Sequence, residues 1–143
     1  MVTAPATGRP AVLFVCVRNG GKSQMAAGLL RRAAPGVDVH SAGTDPGPKL
    51  NALSVQVLDE VGVDLTGEAP KPIDPDLLRS VDLVITLGRD AHIEAPAGVE
   101  VRNWDTDEPS ERGIDGIERM RLVRDDIARH VDALTVELRS TLR

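Results

Sequence analysis

Ala11-Val-Leu-Phe-Val-Cys-Val-Arg-Asn-Gly-Gly-Lys-Ser23 is the stretch on which the fold turns. Its first part, Ala11 to Val17, is a continuous apolar run, β-branched in part, with the composition of a central strand covered on both faces. Arg18-Asn-Gly-Gly-Lys22 interrupts the run with two glycines. Ser23 then opens Gln24 to Ala33, which reads as a helix with Ser23 near its N-cap and Pro35-Gly36 as its stop. A buried strand that feeds a glycine loop and then a helix is the opening of a parallel βα unit.

The same alternation continues outward. Val37 to Ser41 reads as a second strand, closed by Ala42-Gly43-Thr44 and the loop Asp45-Pro-Gly-Pro48. Leu53, Val57 and Val61 fall at helical spacing in a helix from about Asn51 to Val61. Pro70, Pro72 and Pro75 punctuate the next stretch, and Asp74 or Asp76 starts a short helix reaching Ser80. Asp82 to Leu87 is a further buried strand ending at Gly88, and Val99 to Trp104 a fourth, more polar one. From about Ile114, apolar residues recur every three or four positions through Leu138, the pattern of one long amphipathic helix. The expected architecture is a single α/β domain over 11–143, with a four-stranded parallel sheet and helices on both faces. Residues 1–10 are expected to be a flexible leader. Such sheets take ligands at the carboxyl ends of their strands, where the Cys16–Ser23 loop falls.

Composition narrows the function. The 143 residues suit one domain, and 41 % hydrophobic with 27 % charged residues suits a globular fold rather than a disordered chain. No apolar run approaches the roughly 18–20 residues that cross a bilayer. The formal charge is −5, from 22 acidic against 17 basic residues. Without a basic run, and with Phe14 and Trp104 as the only aromatics, the chain offers nucleic acid neither a positive stripe nor a stacking platform. The single cysteine excludes a disulfide scaffold and a cysteine zinc site within the chain. His40, His92 and His130 are too scattered for a metal site, so neither a metal nor a bound cofactor is expected. Met1 to Pro10 lacks the charged start and apolar stretch of a secretory signal, and the expected location is the cytoplasm.

The loop itself carries the chemistry. Backbone amides converge where a strand turns into a helix N-terminus, and the helix dipole adds partial positive charge, so a tetrahedral oxyanion fits there. The candidate oxyanion-binding residues are Val17, Arg18, Asn19, Gly20, Gly21, Lys22 and Ser23, with Gly20 and Gly21 read as supplying the dihedrals of a tight cradle. Cysteines beside helix N-termini and cations tend toward the nucleophilic thiolate, and Cys16 has Lys22 as its nearby cation. Ser23 either hydrogen-bonds that thiolate or caps the helix. Two other readings compete. Gly21-Lys22-Ser23 matches the end of the phosphate-loop NTPase pattern, but Cys16 stands where that pattern needs its first glycine, and the Asp82 strand has no acidic residue at its carboxyl end for magnesium. An inert core thiol accounts for a buried cysteine but not for the glycine loop and helix start that follow it.

Cys16, Asn19, Ser23, Ser41-Ala-Gly-Thr44 and the Trp104–Pro109 segment together resemble the low-molecular-weight tyrosine phosphatase family, whose fold is a four-stranded parallel sheet with a Cys-x5-Arg-Ser/Thr loop. Val12-Leu-Phe-Val-Cys-Val and Asn19-Gly-Gly-Lys-Ser-Gln-Met-Ala26 are more similar to the arsenate–mycothiol transferase branch, and Ile73–Arg79 and Glu118–Asp125 extend the match over nearly the whole chain after Pro10. The resemblance implies an arsenate detoxification enzyme. Cys16, Lys22 and Ser23 are its implied catalytic residues, with Asn19 and Ser41 in the hydrogen bonds that hold the loop.

Three departures from a phosphatase have physical consequences. Lys22 stands where the phosphatase has its loop arginine, and an ammonium lacks the fork that grips two equatorial oxygens of a phosphoryl transition state. The phosphatase acid is an Asp before Pro, followed by Tyr. Here Asp105-Thr-Asp-Glu-Pro109 is followed by Ser110, so Glu108 holds the acid position with Asp107 as the alternative, and a loop of solvated carboxylates is the competing reading. The missing Tyr removes an aromatic wall for phosphotyrosine but costs an inorganic oxyanion nothing. Finally, reducing arsenate takes two electrons, and Cys16 has no intrachain thiol partner, so an external thiol must complete the chemistry. The resemblance implies mycothiol as co-substrate and mycoredoxin downstream, with phosphate as a competitor of arsenate. A phosphatase and a non-catalytic oxyanion-binding protein are the alternatives. Arg18 lies at the rim, pointing to ligand or to water, and Lys49 and Lys71 lie in loops that can approach the pocket.

Overall fold

The computed structural model describes residues 9–141. Its strands are β1 (Ala11–Cys16), β2 (Asp38–Gly43), β3 (Leu83–Leu87) and β4 (Glu100–Trp104), and its helices are α1 (Lys22–Ala33), α2 (Ala52–Asp59), α3 (Pro75–Ser80) and α4 (Gly116–Thr141), with a 3-10 turn at Pro109–Arg112. The sheet runs β2-β1-β3-β4 and every pairing is parallel, as the alternating sequence predicts. β1 is central, which explains its continuous apolar run. Val12 and Phe14 face one side of the sheet, with the core built from α1, α2 and α4, while Leu13 and Val15 face the other, with Val84, Ala42 and the partly buried Leu77 and Leu78 of α3. Both faces are covered, but unequally. The six-residue α3 has no buried residue of its own, whereas α4 runs the length of the sheet with Val123, Ile127, Val131, Leu134 and Leu138 fully or almost fully buried.

The boundaries differ from the sequence reading in ways that have local causes. β2 begins at Asp38 and continues through Ala42 and Gly43, which the sequence reads as the closing loop, because Gly43 still pairs with Cys16 and bridges Pro72. α2 ends at Asp59, two residues early, as Gly62 takes a positive φ of 82°. Asn51 caps α2 by accepting from the Ser54 amide, and Asp74 caps α3 by accepting from the Asp76 amide. Ser23 does not cap α1. The N-cap is Gly21, without a side-chain hydrogen bond, and Ser23 is fully buried in the first turn.

Of the leader read over residues 1–10, residues 1–8 lie outside the described residues. Arg9 pairs with Asp38 at 3.1 Å, and the Pro10 carbonyl accepts from the Asp38 amide at 2.9 Å. No helix among the described residues is long and apolar enough to cross a membrane.

Candidate active site

β1 ends at Cys16 and α1 begins at Lys22, and the five residues between them turn over the carboxyl edge of the sheet. The backbone bends at Asn19, whose φ of 52° is the only positive value on a non-glycine residue among those described. Gly20 and Gly21, read from sequence as the flexible positions, do not take positive φ. Gly20 is small for another reason. A Cβ there would lie 3.2 Å from the Lys49 carbonyl, and its own carbonyl accepts from the Asn51 amide at 2.7 Å, so the entry to α2 lies against it. On the opposite side β2 approaches as closely: a Cβ on Gly43 would stand 2.7 Å from the Val17 carbonyl and 3.0 Å from the Asn19 Cβ.

Asn19 is the hub of this turn and is fully buried. Its Oδ1 accepts from the Lys71 amide at 3.0 Å and from Gln24 Nε2 at 3.2 Å, which leaves Nδ2 to donate to Ser23 Oγ at 2.7 Å. Because the Ser23 oxygen already accepts that bond, its hydrogen is free for Cys16 Sγ, 2.9 Å away. The Asn19 amide donates to the same sulfur at 3.2 Å. Two hydrogen-bond donors therefore converge on the one sulfur. Ser23 thus serves the sulfur rather than the helix end, and its capping reading is corrected by the asparagine that claims it.

The helix end is left open. Among the described residues no protein acceptor takes the backbone N–H groups of Arg18, Gly20, Gly21 or Lys22. The first turn of α1 holds no acidic residue, so no side chain of the helix itself offsets its partial positive charge. Above it lies a cavity of about 510 Å³ lined by Cys16, Val17, Arg18 and Lys22, and across from them by Arg89, Asp105, Thr106 and Glu108. Arg18 holds the rim, ion-paired with Asp45 at 2.7 Å. Gly20 and Gly21 instead line a second groove, on the α2 side of the loop. Ser41 is buried on β2 and reaches the network only through Lys71, whose ammonium donates to Ser41 Oγ and to the Ala69 carbonyl, both at 3.3 Å. Burial pushes the Lys71 ammonium below its ordinary value.

The two acid candidates are brought to the site but held as carboxylates. Arg119 of α4 grips Glu108 with Nε at 2.9 Å and Nη2 at 3.0 Å, Ser110 Oγ donates to it at 2.9 Å, and Lys22 Nζ lies at 3.6 Å. The Arg119 fork above all lowers Glu108 to about 2. Asp107 faces a neighbouring cavity, where the bidentate Arg112 at 2.8 and 2.9 Å holds it below its usual value. Both carboxyl groups are therefore held in the ionised form by arginine forks, Glu108 at the cavity of Cys16 and Asp107 at its neighbour.

Sequence reasoning missed Gln24, Arg119, Asp105 and Thr106, and named Lys71 only as a loop lysine able to approach the pocket. Gln24 Nε2 donates to the Asn19 and Ala69 carbonyls, each at 3.2 Å, and Lys71 enters through its backbone amide, a role that side-chain type does not signal. Arg119 lay in the Glu118–Asp125 segment that carried the resemblance, without any sign of its partner. Trp104 packs on Phe14 with ring centroids 5.5 Å apart and stacks on His130 at 5.0 Å. No aromatic side chain lines the cavity. No group of three His, Cys, Asp or Glu residues among those described is placed to hold a metal ion.

The family model for low molecular weight phosphotyrosine protein phosphatases matches residues 11–143. The chain belongs to that family. Within it, an arsenate reductase of Bacillus licheniformis is 33 % identical over 129 residues, covering 84 % of this chain and 91 % of that one. A solved thioredoxin-dependent arsenate reductase of Corynebacterium glutamicum is 33 % identical with a TM-score of 0.71; the match covers 96 % of this chain, which spans 63 % of the length of that protein. A solved arsenate reductase in its phosphate-binding state is 26 % identical with a TM-score of 0.73, covering 90 % of this chain and 98 % of that one. This family member has the four-stranded parallel sheet of its relatives' fold, with Cys16 at the end of β1 and Lys22 at the start of α1.

Proposed function

We propose that this family member is an arsenate reductase of the transferase type, which joins arsenate to a small external thiol. The observation that carries the reading is the lone thiol set under unpaired amides at a helix N-terminus whose first turn holds no acidic residue, with no second cysteine in the sequence to close a disulfide with it. Arsenate, with phosphate as its competitor, takes the loop from Cys16 to Ser23. The curated relative named an arsenate reductase and the relative described in a phosphate-binding state support that substrate class. The relative described as thioredoxin-dependent marks one way of ending the reaction, and the single Cys16 favours another.

The chemistry then runs in two steps. In the first, an As–S bond to the thiol forms and an As–O bond breaks, the oxygen leaving as water with the thiol proton and one from the substrate. Arsenic stays pentavalent. The resemblance makes mycothiol the thiol. In the second, the thiolate of mycoredoxin attacks the mycothiol sulfur, a mixed disulfide forms, and the As–S electron pair stays on arsenic, giving arsenite. Cys16 serves the first step either by attacking arsenic itself or by holding and polarising the oxyanion while mycothiol attacks. Lys22 and the amide of Arg18, both at the Cys16 cavity, meet the charge that develops on oxygen. Because Glu108 and Asp107 are ionised, the proton for the leaving oxygen comes from the arsenate, which is itself partly protonated at neutral pH, or from the incoming thiol. The reaction requires no bound cofactor and suits the reducing cytoplasm.

The test is arsenate-dependent NADPH consumption with mycothiol, mycoredoxin and mycothiol disulfide reductase, beside a Cys16→Ser control. Turnover that needs both mycothiol and Cys16 is the expected result. Hydrolysis of p-nitrophenyl phosphate without any thiol, and no arsenate turnover, would return the chain to phosphatase chemistry. An active Cys16→Ser variant would remove both roles assigned to the thiol.

A further inference from the structure

We propose that Arg119 is a positioning residue of the anion site: by neutralising Glu108 it leaves Lys22 to serve the oxyanion. The inference rests on the reading of the Cys16–Ser23 loop as an oxyanion site. Glu108 lines the same cavity as Cys16 and Lys22. A carboxylate there opposes a bound dianion in two ways. It repels the dianion directly, and it competes for the ammonium of Lys22, the only side-chain cation that α1 sends into the cavity.

The distances show how that opposition is relieved. Arg119 takes both Glu108 oxygens at 2.9 and 3.0 Å, in the parallel fork that a guanidinium forms with a carboxylate. Lys22 stands at 3.6 Å, beyond hydrogen-bond length, so its hold on Glu108 is the weaker of the two and the easier to exchange for a ligand oxygen. The three side chains are 32 %, 26 % and 22 % exposed for Arg119, Glu108 and Lys22, so solvent screens these charges only in part. Arg119 comes from α4, whose Met120 and Val123 are buried in the core, and the guanidinium is therefore delivered by a rigid element. It also borders the groove on the far side of the loop with Gly21 and Lys22, so its charge lies close to the helix end that receives the anion. Without Arg119 the carboxylate keeps only Ser110 Oγ and Lys22 as partners, and Lys22 becomes its sole counter-charge.

Inorganic phosphate binding to the full chain, measured by calorimetry, tests this with four proteins: wild type, R119K, R119M and R119M/E108Q. R119M is expected to raise the phosphate Kd roughly tenfold, which corresponds to about 1.4 kcal/mol. R119M/E108Q is expected to return to within about threefold of wild type, because the charge that Arg119 answers has gone. R119K, which keeps the charge and loses the fork, is expected to fall between wild type and R119M. An unchanged Kd in R119M, or a double variant as weak as the single one, would overturn the inference, the latter pointing to a merely structural arginine. If wild type binds phosphate poorly at millimolar concentration while all four proteins unfold at similar temperatures, the oxyanion reading of the loop fails, and the inference with it.

Discussion

Asn19 is the residue whose replacement tests the architecture of the loop most sharply, because three different physical demands meet on one buried side chain. Its Nδ2 feeds Ser23, its Oδ1 satisfies the Lys71 amide and Gln24, and its backbone holds φ at 52°. Alanine removes all three supports. Losing a neutral hydrogen bond costs about 1 kcal/mol, and stranding the partly buried Lys71 amide costs about 1–3 kcal/mol. Placing a Cβ without a polar tip at that φ adds about 1 kcal/mol. Gln24 is not stranded, since its Nε2 keeps the carbonyls of residue 19 and Ala69. The expected destabilisation of Asn19→Ala is therefore about 3–5 kcal/mol, a large share of the roughly 5–15 kcal/mol that holds an ordinary domain together.

Two further variants separate the contributions. Asn19→Gly loses the same hydrogen bonds but takes the positive φ freely, so it is expected to be more stable than Asn19→Ala by about 1 kcal/mol. Asn19→Asp keeps the acceptor for Lys71 and Gln24 but deletes the donor to Ser23 and sets a negative charge next to the Ser23–Cys16 pair. It is expected to unfold closer to wild type than either, yet to bind phosphate worst of the three. Urea unfolding followed by the fluorescence of the single tryptophan, Trp104, measures the stabilities, since that ring packs on Phe14 in the core. Asn19→Ala within about 0.5 kcal/mol of wild type would refute the hub, the level at which substitutions away from structural features usually fall. A glycine variant less stable than the alanine variant would refute the role given to φ.

Two predictions bear on the charges of the pocket. Glu108 is lowered from 4.5 to about 2 on folding, so its contribution to stability is complete above 4.5 and is lost as the pH falls toward 2. Wild type is expected to exceed Glu108→Gln by about 1–2 kcal/mol at pH 7, and that margin should close between pH 4.5 and pH 2 in urea titrations; a margin independent of pH would show that Glu108 is not ionised by its partners. Lys22→Arg restores the guanidinium fork at the loop, and hydrolysis of p-nitrophenyl phosphate is expected to rise about tenfold or more with the fold intact by circular dichroism. No gain would mean that something other than the lysine limits phosphatase chemistry.

The parts of the molecule legible in sequence are those fixed by local periodicity. The apolar run from Ala11 placed β1 at the centre of the sheet, and the recurrence from Ile117 to Leu138 defined α4, because burial on two faces or on one stripe leaves a direct trace in residue order. The position of the thiol at a strand end before a helix was legible for the same reason. What was not legible depends on tertiary partners. Ser23 looks like a cap because serine before a helical run usually is one, but Asn19 draws its hydroxyl to the sulfur. Two adjacent glycines look like the bend, but the positive φ falls on the asparagine before them, a residue type that tolerates it and here uses its side chain to hold it.

The carboxylates show most clearly where residue order stops being a guide to chemistry. In sequence, Glu108 before Pro109 stands in the place of an acid, and nothing within five residues of it predicts otherwise except Arg112, which belongs to Asp107. Its charge is decided eleven positions away, by an arginine that α4 brings across the 3-10 turn. A group held ionised by a fork of that kind is a poor proton donor and a good electrostatic partner, and the loop it faces has an ammonium where a phosphatase has a guanidinium. The two departures fit one another. A site that hydrolyses esters needs a proton for an alkoxide or phenoxide leaving group and a fork for the phosphoryl oxygens; here both acid candidates are paired as carboxylates, and the guanidinium groups of Arg18 and Arg89 that line the cavity are paired with Asp45 and with Asp105 and Glu111. A site that condenses a partly protonated inorganic oxyanion with a thiol carries its own proton in with the substrates, and needs only a cradle of amides, a cation free to exchange its carboxylate for a ligand oxygen, and a sulfur beneath them. That is the set of groups that Cys16, Asn19, Lys22, Glu108 and Arg119 assemble.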